Sequence, residues 1–99
     1  NLAELSEANR APTFEGYKTK AMAGDKEAQW HVGRMYSVGD RVEKNVVEGL
    51  AFLFLSNRDT GDIGDPTTLG MISNLLREMS PQQIEEAKKR LEQLVQQVK

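Results

Sequence analysis

The sequence predicts an all-α fold, and three observations indicate this class. Apolar residues recur at helical spacing in each long segment of the 99-residue chain. Alternating or β-branched runs bounded by turns, which would indicate strands, are missing from the sequence. Helix start and stop signals separate the periodic segments. We expect a single domain over residues 1–99, because a chain of this length buries only one modest core.

The N-terminal part of the chain predicts one short helix before the main core. A weakly amphipathic stretch at 2–9 is followed by a break at Pro12. Residues 13–23 then carry apolar side chains near one face, which predicts a helix. Gly24 is placed to end this helix, because glycine readily adopts the left-handed conformation that follows many helices.

Two helices are predicted in the middle of the chain. Asp25 can accept a hydrogen bond from a free backbone N–H group at the start of the first one, which stops at Gly39-Asp40. Asn45 can cap the second in the same way. The stretch 50–55 is the longest apolar run in the sequence. We therefore expect this second helix at the centre of the core.

Two further helices are predicted in the C-terminal third. Asp65-Pro66 is a start signal, because proline at the first helical position lacks only an N–H group that would have no partner there. Ser80-Pro81-Gln82-Gln83 predicts a reciprocal capping box. The last helix carries one apolar seam on an otherwise polar surface, formed by Ile84, Ala87, Leu91, Leu94 and Val98.

The composition disfavours several classes of function. Thirteen Lys and Arg residues against fifteen Asp and Glu give a net charge of −2, and the only basic block is 88–90, so we expect no nucleic-acid partner. The longest apolar run is far below the roughly 20 residues that span a bilayer, so we expect no membrane insertion. The chain has no cysteine and a single histidine, His31, which disfavours nucleophilic catalysis and zinc binding.

Metal and cofactor signals are also weak. The acidic stretch 59–65 lacks the alternating ligands and the final glutamate of an EF-hand calcium loop. The glycines form no phosphate-binding loop with an adjacent Lys and Ser or Thr. We therefore expect no metal, no cofactor and no catalytic residues.

The sequence contains a possible internal repeat. Gly24-Asp25 recurs as Gly64-Asp65, forty residues later. In that register Val32 aligns with Ile72 and Met35 aligns with Leu75, and after a short gap Gly49 aligns with Ala87. A period of this length is typical of stacked helix pairs.

The residues of the first copy resemble a known repeat family. Residues 24–57 match nearly the whole pattern of the Sel-one-like repeat, an α-solenoid relative of the tetratricopeptide repeat. The turn and helix start at 79–84 also resembles the usual end of such bacterial proteins. The matching positions are Ala28, Val32, Gly33, Tyr36, Gly39, Val42, Asn45, Gly49 and Phe52.

The resemblance implies a right-handed superhelix of antiparallel helix pairs. It divides the chain into a partial repeat at 11–23, a full repeat at 24–60, and a degenerate terminal repeat with a capping helix at 61–99. About two and a half repeats result. Such units stack because one pair cannot bury its apolar face alone.

Three positions depart from the family pattern. Arg41 stands where a second loop glycine is usual, so a positive φ there would be strained. Gly49 replaces an alanine and should loosen its helix by up to about 1 kcal/mol, unless close packing against Gly33 or Tyr36 compensates. Phe52 replaces a tryptophan and fills less volume.

By analogy with tetratricopeptide packing, the resemblance implies a non-enzymatic protein that binds a protein or peptide on its concave face. The resemblance implies a part in a bacterial regulatory or envelope-associated complex, and we expect the periplasm or secretion rather than the cytoplasm. Two alternatives are a hydrolase of the β-lactamase-like kind described for some members, and a fragment that stacks on further repeats. The expected partner-binding residues are Glu27, Trp30, Arg34, Ser37, Asn74 and Arg77.

Trp30 has two possible environments. Paired with Arg34 one turn later, it could anchor an interface as an aromatic ring beside a guanidinium group. Alternatively, it could pack against the preceding helix near Tyr17. The sequence leaves both environments open.

Overall fold

The computed structural model describes residues 13–57 and 66–98, and the secondary structure within them is entirely helical. The five helices of these ranges are α1 (Phe14–Met22), α2 (Lys26–Val38), α3 (Val46–Asn57), α4 (Pro66–Glu78) and α5 (Pro81–Gln97). The predicted all-α class is confirmed. Expectations about the stretch 2–9, Pro12, Asp65 and the acidic loop 59–65 concern parts of the chain outside the described residues.

The predicted capping residues occupy the ends of the helices. Asp25 Oδ1 accepts a hydrogen bond from the backbone N–H of Ala28 at 3.1 Å, and α2 begins there. Asn45 Oδ1 accepts from the N–H of Glu48 at 3.1 Å, ahead of α3. Each cap satisfies a backbone donor that has no partner inside its helix.

The capping box predicted before α5 is also present. The Ser80 hydroxyl accepts from the backbone N–H of Gln83 at 3.1 Å, and the Gln83 side chain accepts from the N–H of Ser80 at 2.9 Å. Pro81 occupies the first turn, as Pro66 does in α4. These start signals join residues at most three positions apart, which is why they can be recognised in the sequence.

Helices α2 and α3 form an antiparallel pair that crosses at two glycines. A Cβ atom added at Gly33 would lie 2.9 Å from the backbone nitrogen of Leu53 and 2.8 Å from its Cγ. A Cβ atom added at Gly49 would lie 3.2 Å from the carbonyl oxygen of Gly33 and 3.1 Å from the backbone nitrogen of Ser37. Of the two contacts that could compensate for glycine at position 49, the close packing against Gly33 is present.

Helix α3 is the centre of the core, as its apolar sequence predicts. It packs chiefly against α2 and α5, and to a smaller extent against α4. Seven of its residues are buried, and Phe52 is fully buried. Phe54 is the exception within the apolar run, because it is 36% exposed.

The loop after α2 keeps a left-handed backbone at two positions. Gly39 ends α2 with a φ of 77°, and its N–H donates to the carbonyl of Met35 at 2.8 Å. Arg41 has a φ of 65°, which is uncommon for a residue with a side chain. The strain expected from an arginine at this position is present in the structure.

Helix α5 lies on α3 through its apolar seam. Ala87, Leu94 and Val98 are buried, while Ile84 and Leu91 are partly buried against the core. An ion pair with a 2.6 Å distance between Arg90 Nε and Glu48 Oε1 joins the two helices beside this seam. The predicted seam is confirmed.

The forty-residue register agrees with the burial pattern in the first helices of the two pairs. Val32 and Ile72 are both buried, and so are Met35 and Leu75. The agreement fails at Gly33, which is buried at the α2–α3 crossing, while its counterpart Ser73 is exposed. Burial therefore follows the register along one face of α4 but not at the crossing point.

Candidate functional site

Trp30 lies between α2 and α4. Its indole Nε1 donates a hydrogen bond to the hydroxyl oxygen of Thr68 at 2.8 Å. The ring packs at the edge of a buried cluster that includes Leu50 and Leu53 of α3 and Ile72 of α4. The tryptophan thus faces the following helix, while part of the ring stays accessible.

His31 occupies the place beside Tyr17 that the sequence offered as an alternative for Trp30. The rings of Tyr17 and His31 are stacked, with centroids 4.5 Å apart and an interplanar angle of 27°. Trp30 meets His31 edge to face at 5.0 Å. His31 Nε2 lies 3.8 Å from Glu27 Oε1, and its side chain is 26% exposed. The residue of this pair that packs against Tyr17 is therefore His31.

The remaining expected residues of α2 differ in accessibility. The Glu27 side chain is 86% exposed. Arg34 is half-buried, and its Nη2 donates to Asp40 Oδ2 at 2.9 Å, so its charge is balanced within the chain. Ser37 is buried, and its hydroxyl donates to the carbonyl of Gly33 at 2.6 Å. Because it is buried, Ser37 offers little surface to a partner.

The expected residues of α4 are both accessible. Asn74 and Arg77 are exposed and lie three positions apart on the helix. Within residues 13–57 and 66–98, neither side chain makes a hydrogen bond or ion pair. Their polar groups are therefore available to a ligand.

Two surface depressions lie between α2 and α4. The first has a volume of about 390 Å³ and lies at the start of both helices, around Trp30 and Thr68. The second has a volume of about 370 Å³ and lies at their ends, where Val38 and Leu75 contribute apolar walls. Because starts adjoin starts and ends adjoin ends, α2 and α4 run in the same direction. We call the surface with these two depressions the α2/α4 face.

An ion pair borders the second depression. Lys44 Nζ lies 3.1 Å from Glu78 Oε1, and both side chains are about half exposed. Met71 and Asn74 complete the α4 side of this depression. The arrangement is an apolar pocket with a charged border and an amide at its rim.

Sequence reasoning missed the role of Arg90. In the basic block 88–90, Lys88 and Lys89 are exposed, as is usual for charged residues on a helix surface. Arg90 instead pairs with Glu48 on α3, and only 24% of its side chain is exposed. A contact between residues 42 positions apart leaves no local signal.

A second missed feature is the position of Lys18. Its Nζ lies 5.6 to 5.7 Å from the ring centroids of Phe14, Tyr36 and Phe52. The same atom is 3.4 Å from the hydroxyl of Tyr36. These rings belong to α1, α2 and α3, so the cation helps to fix α1 on the central pair.

The helices of the described ranges include none that is long and apolar enough to cross a membrane. Compared with protein-family models, curated proteins and solved structures, the chain gives no match.

Proposed function

We propose that this chain is a solenoid of Sel-one-like helical repeats that binds a protein or peptide partner, without catalysis, on the α2/α4 face. The observation that carries the proposal is the pair of depressions between α2 and α4, the first of which is lined by the hydrogen-bonded residues Trp30 and Thr68. Helices α2 and α4 are the first helices of the two aligned pairs. In tetratricopeptide-like solenoids the first helices line the concave face, and the parallel course of α2 and α4 supports the same arrangement here.

The spacing of the two depressions suits an elongated ligand. Trp30 and Ser37 are seven residues apart on α2, and Thr68 and Leu75 are seven apart on α4. At a rise of 1.5 Å per residue, seven residues correspond to about 10 Å along each helix. A partner segment that crosses this face can therefore place one side chain in each depression.

The side chains of the α2/α4 face can make different kinds of contact with a partner. Trp30 supplies a large aromatic surface, and the second depression accepts an aliphatic side chain between Val38 and Leu75. Asn74 and Arg77 supply polar groups that are not used within the described part of the chain. An interface of this type combines an aromatic anchor with a polar rim.

The surroundings of His31 support binding over hydrolysis. A hydrolase alternative that used histidine as its general base would depend on this residue, since it is the only histidine. Its ring is stacked on Tyr17 and touched by the edge of Trp30. These contacts hold the imidazole ring against other aromatic side chains, as expected for a residue that forms part of a packed surface.

Charge reversal on the face tests the proposal. The variant carrying Arg34→Glu and Arg77→Glu is expected to lose capture of the partner from cells of the source organism. The matched control carries Lys88→Glu and Lys89→Glu on α5, which changes the net charge equally on exposed positions. The single variant Arg77→Glu covers the case in which loss of the Arg34–Asp40 pair disturbs folding. Capture by both double variants at the wild-type level would contradict the proposal.

A further inference from the structure

Three aromatic rings form a continuous strip that crosses from α1 over α2 towards α4. Tyr17 stacks on His31 at 4.5 Å, and His31 meets Trp30 at 5.0 Å. All three residues are partly accessible. We call these three residues the aromatic ridge.

The ridge separates two depressions of the surface. One has a volume of about 160 Å³ and lies between α1 and α2, against Tyr17 and His31. The other is the depression of about 390 Å³ that Trp30 and His31 share with Thr68. His31 and Glu27 border both, so a ligand that occupies the two depressions must cross the His31 ring.

The outer rings of the ridge are no farther apart than about one turn of a polyproline II helix. The two successive ring distances place the outer rings, Tyr17 and Trp30, within about 9.5 Å of each other. A polyproline II helix has three residues per turn and rises about 3.1 Å per residue, so equivalent side chains recur every ~9 Å. A polyproline II segment that lies across the ridge can place one proline ring in each of the two depressions, with the His31 ring between them.

The polar groups around the ridge suit a backbone that needs donors. A polyproline II segment makes no internal hydrogen bonds, so its carbonyl groups remain free to accept. Lys20 lines the smaller depression and Lys26 lines the larger one, and each ammonium group can only donate.

The charges around the ridge favour a neutral ligand. The two lysines are balanced by two carboxylates, Asp25 and Glu27, on the same borders. A strongly charged segment of either sign would meet like charges on this surface. An uncharged segment with free carbonyl groups would not.

We propose that the aromatic ridge binds an uncharged, proline-rich segment of a partner protein in the polyproline II conformation, with proline rings on both sides of His31. This proposal rests on the proposed function, because it specifies the chemical class of the partner segment that contacts Glu27 and Trp30. Aromatic grooves recognise such segments because the polyproline II helix is already ordered before binding.

Intrinsic fluorescence provides a direct test, because Trp30 is the only tryptophan. The chain is titrated with the peptide acetyl-Ala-Pro-Pro-Ala-Pro-Pro-Ala-Pro-Pro-Ala-amide, which has no aromatic residue. We expect a saturable change in Trp30 emission. The same peptide with glycine in place of every proline should bind at least fivefold more weakly, because it is not ordered in advance.

Three variants locate the binding site. Tyr17→Leu is expected to weaken the proline peptide at least fivefold, whereas Phe54→Leu, on an exposed aromatic outside both depressions, should leave binding unchanged. Lys26→Met removes an exposed donor that the fold does not need and should weaken binding about threefold or more. Equal binding of the proline and glycine peptides, or no saturable signal, would overturn the proposal. If the peptide fails while charge reversal at Arg34 and Arg77 still abolishes capture, the peptide chemistry is wrong and the proposed function stands.

Discussion

The two helix pairs that the forty-residue register aligns differ in how their helices meet. In the first pair, α2 and α3 cross at Gly33 and Gly49 with almost no space between their backbones. In the second pair, the counterparts are Ser73, which is exposed, and Ala87, which is buried. Helices α4 and α5 each pack mainly on α3. They contact each other chiefly through side chains of the buried cluster that both share with α3.

This difference shows which residues produce a close helix crossing. The apolar face of α4 follows that of α2, since Ile72 and Leu75 are buried like Val32 and Met35. Without a small residue turned toward α5, the apolar face alone does not bring the second pair into the same contact. The pair α2–α3 is therefore the structural centre, and α4 and α5 cover it while the α2/α4 face stays accessible.

The largest expected difference between the pairs concerns Phe52 and its counterpart Arg90. Phe52 is fully buried and stacks on Tyr36 with ring centroids 6.2 Å apart. Phe52→Ala should lower the free energy of unfolding by about 4 kcal/mol, because it removes a large buried ring and leaves a cavity. Arg90→Ala should cost about 1 kcal/mol, since the half-buried pair with Glu48 is partly solvated. Urea denaturation of both variants measures the contrast, and equal costs would contradict it.

The crossing glycines give the next largest effect. Gly33→Ala should destabilise the chain by about 2 kcal/mol, because the new Cβ atom would overlap the backbone of Leu53, and this outweighs the higher helix propensity of alanine. Ser73→Ala at the aligned position is the control and should change stability by less than about 0.5 kcal/mol. Thermal unfolding followed by circular dichroism distinguishes the two. A stabilising Gly33→Ala would mean that the backbones of α2 and α3 do not approach each other this closely at Gly33.

The link between the pairs can be weakened at Thr68. Thr68→Val keeps the shape of this buried side chain and removes the hydroxyl that accepts from Trp30 Nε1. We expect a loss of about 1 kcal/mol in the free energy of unfolding. The emission of Trp30 should shift in the folded state as its hydrogen bond is lost. Exposed Thr67→Val is the matched control, and an identical spectrum for both variants would argue against the bond.

The smallest effect is expected in the loop between α2 and α3. Arg41→Gly should raise the free energy of unfolding by about 0.5 kcal/mol, because the relief of left-handed strain exceeds the added freedom of the unfolded chain. Glu43→Gly in the same loop should be destabilising, since the φ of Glu43 is not positive. Destabilisation by both substitutions, measured by urea denaturation, would show that Arg41 is not strained.

Local signals in the sequence predicted the helices and the positions at which they begin. Asp25, Asn45 and the box at Ser80 set helix starts through contacts within three residues, and such contacts can be identified in sequence order alone. The seam of α5 followed from periodicity. The edges of the apolar faces were less predictable, because Leu69 and Leu76 of α4 remain 39% exposed.

The candidate site was predicted in part, because its contacts join distant residues. The positions of α2 and α4 that face outward could be named, yet the partner of Trp30 is 38 residues away and depends on how α4 settles on α3. The stacking of His31 on Tyr17 and the position of Lys18 among three rings depend likewise on packing between helices. The buried state of Ser37 follows from the close approach of Gly49, which periodicity does not reveal.

Site-specific photo-crosslinking tests the central claim, that the α2/α4 face binds a partner. A photoreactive amino acid replaces Asn74, an exposed residue at the rim of the second depression, or Gln96, an exposed residue of α5. Neither side chain contributes to the core. We predict a crosslinked partner from position 74 and none from position 96. Crosslinking from position 96, with none from position 74, would contradict the claim.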